Sequence, residues 1–181
     1  MWLLWLNLLW CCCDASQELY TDLTYNLMTQ RLLELERKHP DILRVTSCQA
    51  IEFGGLPALQ TCDGPCTQYI AILGPQNMSN LIPPDELPEV FFSGSLHGNE
   101  RVGPLTLLTT LELLTANHAD ITRNMHQSKK ALRNFSEHEQ WLYRLTTMRR
   151  SVWVLATNAE GYHHDMRGEP SAGKITQPLS P

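Results

Sequence analysis

Between Pro104 and Asn117 the chain reads Pro-Leu-Thr-Leu-Leu-Thr-Thr-Leu-Glu-Leu-Leu-Thr-Ala-Asn, and no other segment limits its folds as much. Leu105, Leu107, Leu108, Leu111, Leu113 and Leu114 crowd the faces of a helix here and leave few polar positions. A helix apolar around most of its girth cannot lie half in water; another layer must cover it. Glu89-Val-Phe-Phe-Ser93 precedes it and Ser151-Val-Trp-Val-Leu155 follows, both short runs of strand formers. Strands interleaved with a buried helix predict an α/β domain with a mixed central sheet and helices on both faces.

The remaining segments fit that class. From Gln17 towards Arg44, Leu19, Leu23, Leu27, Leu32, Leu33 and Leu35 recur at steps near three and four, with Thr, Gln, Glu and Arg on the other side. Pro40 ends this helix in a His39-Pro40-Asp41 turn. Ile42 to Ile51 alternates like a strand, Gly54-Gly55 reads as a hairpin turn, and Tyr69 to Leu73 is a second strand closed by Gly74-Pro75. Asn77 to Pro88 holds Pro83, Pro84 and Pro88 and predicts a loop. His118 to Phe135 is polar, and the expectation is an exposed, irregular excursion, with His118, His126 and His138 as surface histidines. Ser136-Glu-His-Glu139 is a capping box opening a helix through Trp141, Leu142 and Leu145.

Composition places the chain among ordinary globular proteins: 181 residues, 43% hydrophobic and 18% charged, enough for one domain with a core. The net charge of −5 and the lack of a basic stripe exclude a nucleic-acid partner, and Lys129-Lys130 and Arg149-Arg150 read as solvated surface. Trp2 to Cys13 is an apolar run broken by Asn7. It falls short of the ~20 residues a membrane-crossing helix needs, so no stable membrane span is expected. The run suits a signal peptide, with small residues Cys13 and Ala15 at positions −3 and −1 of a cleavage point after Ala15, although no Lys or Arg precedes it; a buried N-terminal helix is the alternative. The expected organisation is a signal peptide over 1–15, a folded α/β portion over 16–169 and a disordered tail over 170–181, in a secreted protein. Beyond the leader remain Cys48, Cys62 and Cys66; the last two suit a small loop disulfide or buried thiols. Asn77 and Asn134 lie in glycosylation sequons.

Two loops follow strands, where α/β folds place their sites. The first reads Ser93-Gly-Ser-Leu-His97-Gly-Asn-Glu100-Arg-Val-Gly-Pro104. In a tight turn, a two-residue interval aims the His97 imidazole and Glu100 carboxylate the same way, and both are good Zn²⁺ ligands. Glu100 also suits the start of a helix, where negative charge is favoured without metal. The second reads Asn158-Ala-Glu-Gly161-Tyr162-His-His-Asp-Met-Arg167. Asn158 and Gly161 suit a turn, and a guanidinium at Arg167 beside a metal can steady an oxyanion; alone, it is a surface arginine.

Strand–Gly-x-x-His-Gly-Asn-Glu–helix, then strand–Asn-x-x-Gly-Tyr with an arginine beyond, resembles the zinc carboxypeptidases related to carboxypeptidase A, from about Tyr20 to Glu169. The resemblance implies a phosphorylase/hydrolase-like zinc peptidase fold, with His97 and Glu100 as zinc ligands. Arg167 is the implied catalytic and substrate-binding arginine, polarising the scissile carbonyl, and peptide or protein C-termini are the implied substrates. The family continues well past this second motif, to an Asn-Arg pair for the substrate carboxylate, a third histidine ligand, a tyrosine and a general-base glutamate. None is identifiable here, so the chain reads as truncated on its C-terminal side, with little peptidase activity, weak zinc affinity and uncovered apolar sheet edges expected. His163 and His164 are candidates for the third ligand, or else loop and cleft residues. A zinc amidohydrolase of N-acyl amino acids on the same scaffold, and a non-catalytic secreted relic, are the alternative functions.

Overall fold

The computed structural model describes residues 23–50, 60–76, 87–129 and 131–168. The expected signal peptide, the tail, the Gly54-Gly55 turn, the Pro83-Pro84 loop and the Asn77 sequon lie outside these residues.

Helix α1 (Tyr25–Lys38) starts where the Thr24 hydroxyl accepts from the Leu27 amide, and ends with Arg37 and Lys38 in its last turn, where positive charge meets the helix dipole. Strands β1 (Leu43–Ser47) and β2 (Tyr69–Leu73) follow, then β3 (Glu89–Ser93), α2 (Val102–Ser128), a 3₁₀ turn (Leu132–Asn134), α3 (Glu137–Thr147), β4 (Arg150–Val154) and the short α4 (Ala159–His164). The sheet order is β1-β2-β4-β3. β1 pairs antiparallel with β2, and β2 antiparallel with β4. β3 and β4 pair in parallel, with Phe92 opposite Trp153. A parallel pair needs a long crossover, which α2 and α3 supply.

One core cluster joins the helices to the sheet: Met28, Leu32 and Leu35 of α1, Leu105, Leu108, Leu111 and Leu114 of α2, and Leu142 of α3 meet Leu43, Ala71, Leu73 and Trp153. Arg31 forks onto Glu112 through Nε at 3.0 Å and Nη2 at 2.7 Å, locking α1 against α2. The opposite sheet face carries a second cluster of Ile70, Ile72 and Val154, with Cys48 and Val152 beside it. The architecture is the expected mixed α/β one; the described helices, however, contribute to the first cluster alone. β3 forms a sheet edge and leaves Val90, Phe91 and Phe92 exposed, although Phe92 stacks on Trp153 at 4.1 Å.

One correction concerns the second half of α2. The polar stretch after Asn117 is not irregular; it continues α2 to Ser128. Leu111, Leu114, Thr115, His118 and Ile121 keep helical spacing on the buried side, so the apolar stripe narrows without ending. Lys129, at φ 51°, stops the helix in the left-handed region. His118 is therefore a core residue, 6% exposed, and not a surface histidine. Its Nδ1 lies 3.0 Å from the Thr146 hydroxyl and its ring stacks on Tyr143 of α3, while Nε2 stands 3.6 Å from Asp41. Burial holds its pKa below the ordinary value, with Asp41 pulling the other way. His126 and His138 are exposed. The capping box is present: the Glu139 amide donates to Ser136 Oγ, and the Ser136 amide donates to Glu139 Oε2. Asn134 is exposed just before it.

Candidate functional site

The carboxyl ends of β3 and β4 lie side by side, and their pairing runs on into both following loops. The Gly94 amide donates to Val154 O, the Thr157 amide to Gly94 O, and the Asn158 amide to Ser95 O, at 2.9–3.1 Å. Ser95, buried and at φ 48°, turns the chain, and its hydroxyl donates to His97 O. The Glu100 amide then donates to His97 O at 3.0 Å, closing a tight turn. With the ends of the turn together, His97 Nδ1 and Glu100 Oε1 stand 2.9 Å apart, both partly exposed.

The second loop opens as a helix and not as the simple turn expected. Asn158 is the N-cap of α4: its Oδ1 accepts from the Gly161 amide at 2.7 Å. The Arg167 carbonyl, past the end of α4, accepts from Asn158 Nδ2 at 3.4 Å and from the Gly98 amide at 3.2 Å. The two loops are thereby stitched together, and Arg167 Nη1 comes within 3.6 Å of the same Glu100 Oε1 that faces His97. Arg167, distant in sequence, thus shares one place with His97 and Glu100. Gly98 makes that approach feasible: a Cβ there would stand 2.0 Å from the Gly161 carbonyl carbon.

Tyr162 is the floor under this junction. It is fully buried, and its hydroxyl donates to Leu23 O at 2.6 Å. Burial pushes its pKa up, and Arg101 above it opposes the rise. The Cys62–Cys66 disulfide packs beside α4, where Thr61 donates to Glu160 at 2.7 Å. His163 turns towards Tyr25 and Asp63, at 3.6 Å from the carboxylate, and stacks edge-on with the exposed His164. Among the described residues no group of three His, Cys, Asp or Glu side chains could hold a metal ion. His97 and Glu100 therefore form a pair without a third such partner.

The pair suits a cation. Imidazole nitrogen and carboxylate oxygen are both zinc-ligand types, so His97 and Glu100 are the residues here that could hold such an ion. Exposure of both groups gives the ion a way in. Sequence reasoning missed Arg101 and Asp165, which bear on this site; neither belongs to a motif with a mechanical signature.

No protein-family model and no curated protein matches the sequence. Solved structures do. Carboxypeptidase A from Helicoverpa armigera aligns with 78% of this chain and 25% of its own, at 16% identity and a TM-score of 0.50. Thrombin-activatable fibrinolysis inhibitor aligns at 10% identity over 78% and 26% of the two chains, with a TM-score of 0.49. The bovine form of that protein, in complex with tick carboxypeptidase inhibitor, aligns at 9% identity over 78% and 32%, with a TM-score of 0.44. The chain spans about a quarter to a third of the length of these structures. It has a carboxypeptidase-like fold. Among the described residues no helix is long and apolar enough to cross a membrane.

Proposed function

We propose that this chain carries part of the active site of a secreted zinc carboxypeptidase acting on peptide or protein C-termini. One observation carries the reading: His97 Nδ1 and Arg167 Nη1 converge on a single carboxylate oxygen of Glu100, beyond the ends of two parallel strands. His97 and Glu100 would hold the metal. Zinc, when bound, polarises a carbonyl and makes water a competent nucleophile near neutral pH. The Arg167 guanidinium, two-thirds exposed, is free to donate to an oxygen that gains negative charge as the carbonyl is attacked. The chain's own polar groups therefore bind and orient a carbonyl. A catalytic zinc takes three protein ligands, so two ligands imply weak affinity and little turnover by these residues alone. The Cys62–Cys66 disulfide supports an oxidising compartment, and the exposed Asn134 is open to glycosylation.

Zinc uptake by the purified chain, measured by competition with a chromogenic chelator, tests the reading. Weak, saturable binding of one zinc per chain is expected, weakened at least tenfold further in both His97→Ala and Glu100→Ala. Binding that ignores both substitutions, or no binding by the wild type, refutes it.

A further inference from the structure

We infer that Arg101 is a positioning residue that holds the Arg167-bearing loop against the His97–Glu100 turn; the inference rests on the proposed peptidase site. Past α4, the hydrogen bonds that reach the Arg167 carbonyl are long: Gly98 N from the first loop at 3.2 Å, and the Asn158 side-chain Nδ2 from the second loop itself at 3.4 Å. Residues 164–168 are exposed, so little packing restrains them. Arg101 supplies the missing restraint from the other side. It directly follows Glu100, and its Nε and Nη2 donate to Asp165 Oδ1 at 3.3 and 3.1 Å. Its guanidinium carbon also lies 4.1 Å over the centre of the Tyr162 ring.

These contacts reinforce each other. An exposed ion pair alone restrains weakly, because both side chains must be ordered to form it. Here the guanidinium already lies over a ring that is held in place, since Tyr162 is fully buried and tethered to Leu23 O. Asp165 sits at φ 55° as the C-cap of α4, with its amide directed back to Tyr162 O and Gly161 O, two residues before Arg167. Holding Asp165 fixes the exit direction of the chain that carries Arg167. Arg101 is the N-cap residue of α2, yet its side chain makes no capping bond there. Its guanidinium serves the neighbouring loop and not its own helix.

The test uses the full chain as wild type, Arg101→Ala, Arg101→Lys and, as a control, Arg123→Ala, which removes an exposed ion pair to Asp120 elsewhere on α2. Amide hydrogen exchange is followed at Gly98 and Met166, whose N–H groups close the junction, and at Ala71 and Leu73 in β2. Cobalt(II) is then added as a paramagnetic probe, and broadening is read at Gly98 and Arg167. In Arg101→Ala, exchange at Gly98 and Met166 is expected to rise at least tenfold while Ala71 and Leu73 stay unchanged. Cobalt should still broaden Gly98 but lose its effect on Arg167. Arg101→Lys, which keeps the charge but not the flat fork, should restore part of both signals. Unchanged exchange at the junction, the same change in Arg123→Ala, or an equal rise in β2 overturns the inference. A wild type that binds no cobalt, with the selective rise in exchange still seen in Arg101→Ala, refutes the metal reading and leaves the role of Arg101 standing.

Discussion

Replacing Gly98 by alanine should damage the junction between the two loops more than any other single methyl group. The new Cβ would stand 2.0 Å from the Gly161 carbonyl carbon and 2.4 Å from both Gly161 O and Met166 O. All three atoms are backbone, so no side chain can rotate away, and ordinary contact begins at 3.4 Å. The loops must part by more than an ångström. That breaks the Gly98 N–H bond to Arg167 O. The lost bond costs about 1 kcal/mol. The forced backbone shift costs about 1–3 kcal/mol more. A stiffer unfolded chain returns about 0.4–1 kcal/mol, leaving a net loss of roughly 1–3.6 kcal/mol. Urea unfolding followed by circular dichroism measures it, with Gly168→Ala as the control because nothing lies within 4 Å of a Cβ there. The control should be no less stable than the wild type, gaining at most about 1 kcal/mol. If Gly98→Ala is likewise no less stable, the loops are not packed backbone to backbone and the convergence of Arg167 on Glu100 loses its structural basis.

Two further outcomes follow from the fold. His118 is held neutral by burial, below its ordinary pKa of 6.5, while Asp41 and the neighbouring His39 pull in opposite directions and Tyr143 and Thr146 pack against its ring. The unfolded chain therefore takes up this proton first as pH falls: the stability is fully present above about 6.5 and is lost below it, towards the lower folded pKa. Urea midpoints should fall more steeply between about pH 7 and pH 5 in the wild type than in His118→Gln. Parallel curves refute this, since His39, also shifted down by burial, is common to both proteins. Opening the Cys62–Cys66 bond, by Cys62→Ser with Cys66→Ser, frees a short loop with a separation of four residues, and about 2 kcal/mol of stability should go with it. An unchanged unfolding midpoint in the double variant would show that packing of this loop on α4 suffices without the covalent link.

Much of the secondary structure was legible because local rules and burial agree in those segments. Tyr69–Leu73 and Glu89–Ser93 are strands over the expected residues, and the Ser136–Glu139 capping box starts α3 as its spacing requires. The expectation failed after Asn117, where polar residues outnumber apolar ones. His118 is buried there because a partner satisfies it: its Nδ1 lies 3.0 Å from the Thr146 hydroxyl on another helix. A residue's letter does not reveal a partner that arrives from elsewhere in the chain.

The same division runs through the site. Sequence alone determined that an imidazole and a carboxylate share one turn, because a two-residue interval within a tight loop is a local geometric fact. It could not determine that Arg167 would reach that carboxylate, that Gly98 would press on Gly161, or that Arg101 would lie across Tyr162. Those contacts depend on β3 and β4 becoming parallel neighbours, which brings segments more than fifty residues apart to one end of the sheet. Strand order is chosen by how the whole apolar surface is covered, a sum over many distant contacts, and so only the tertiary structure decided it.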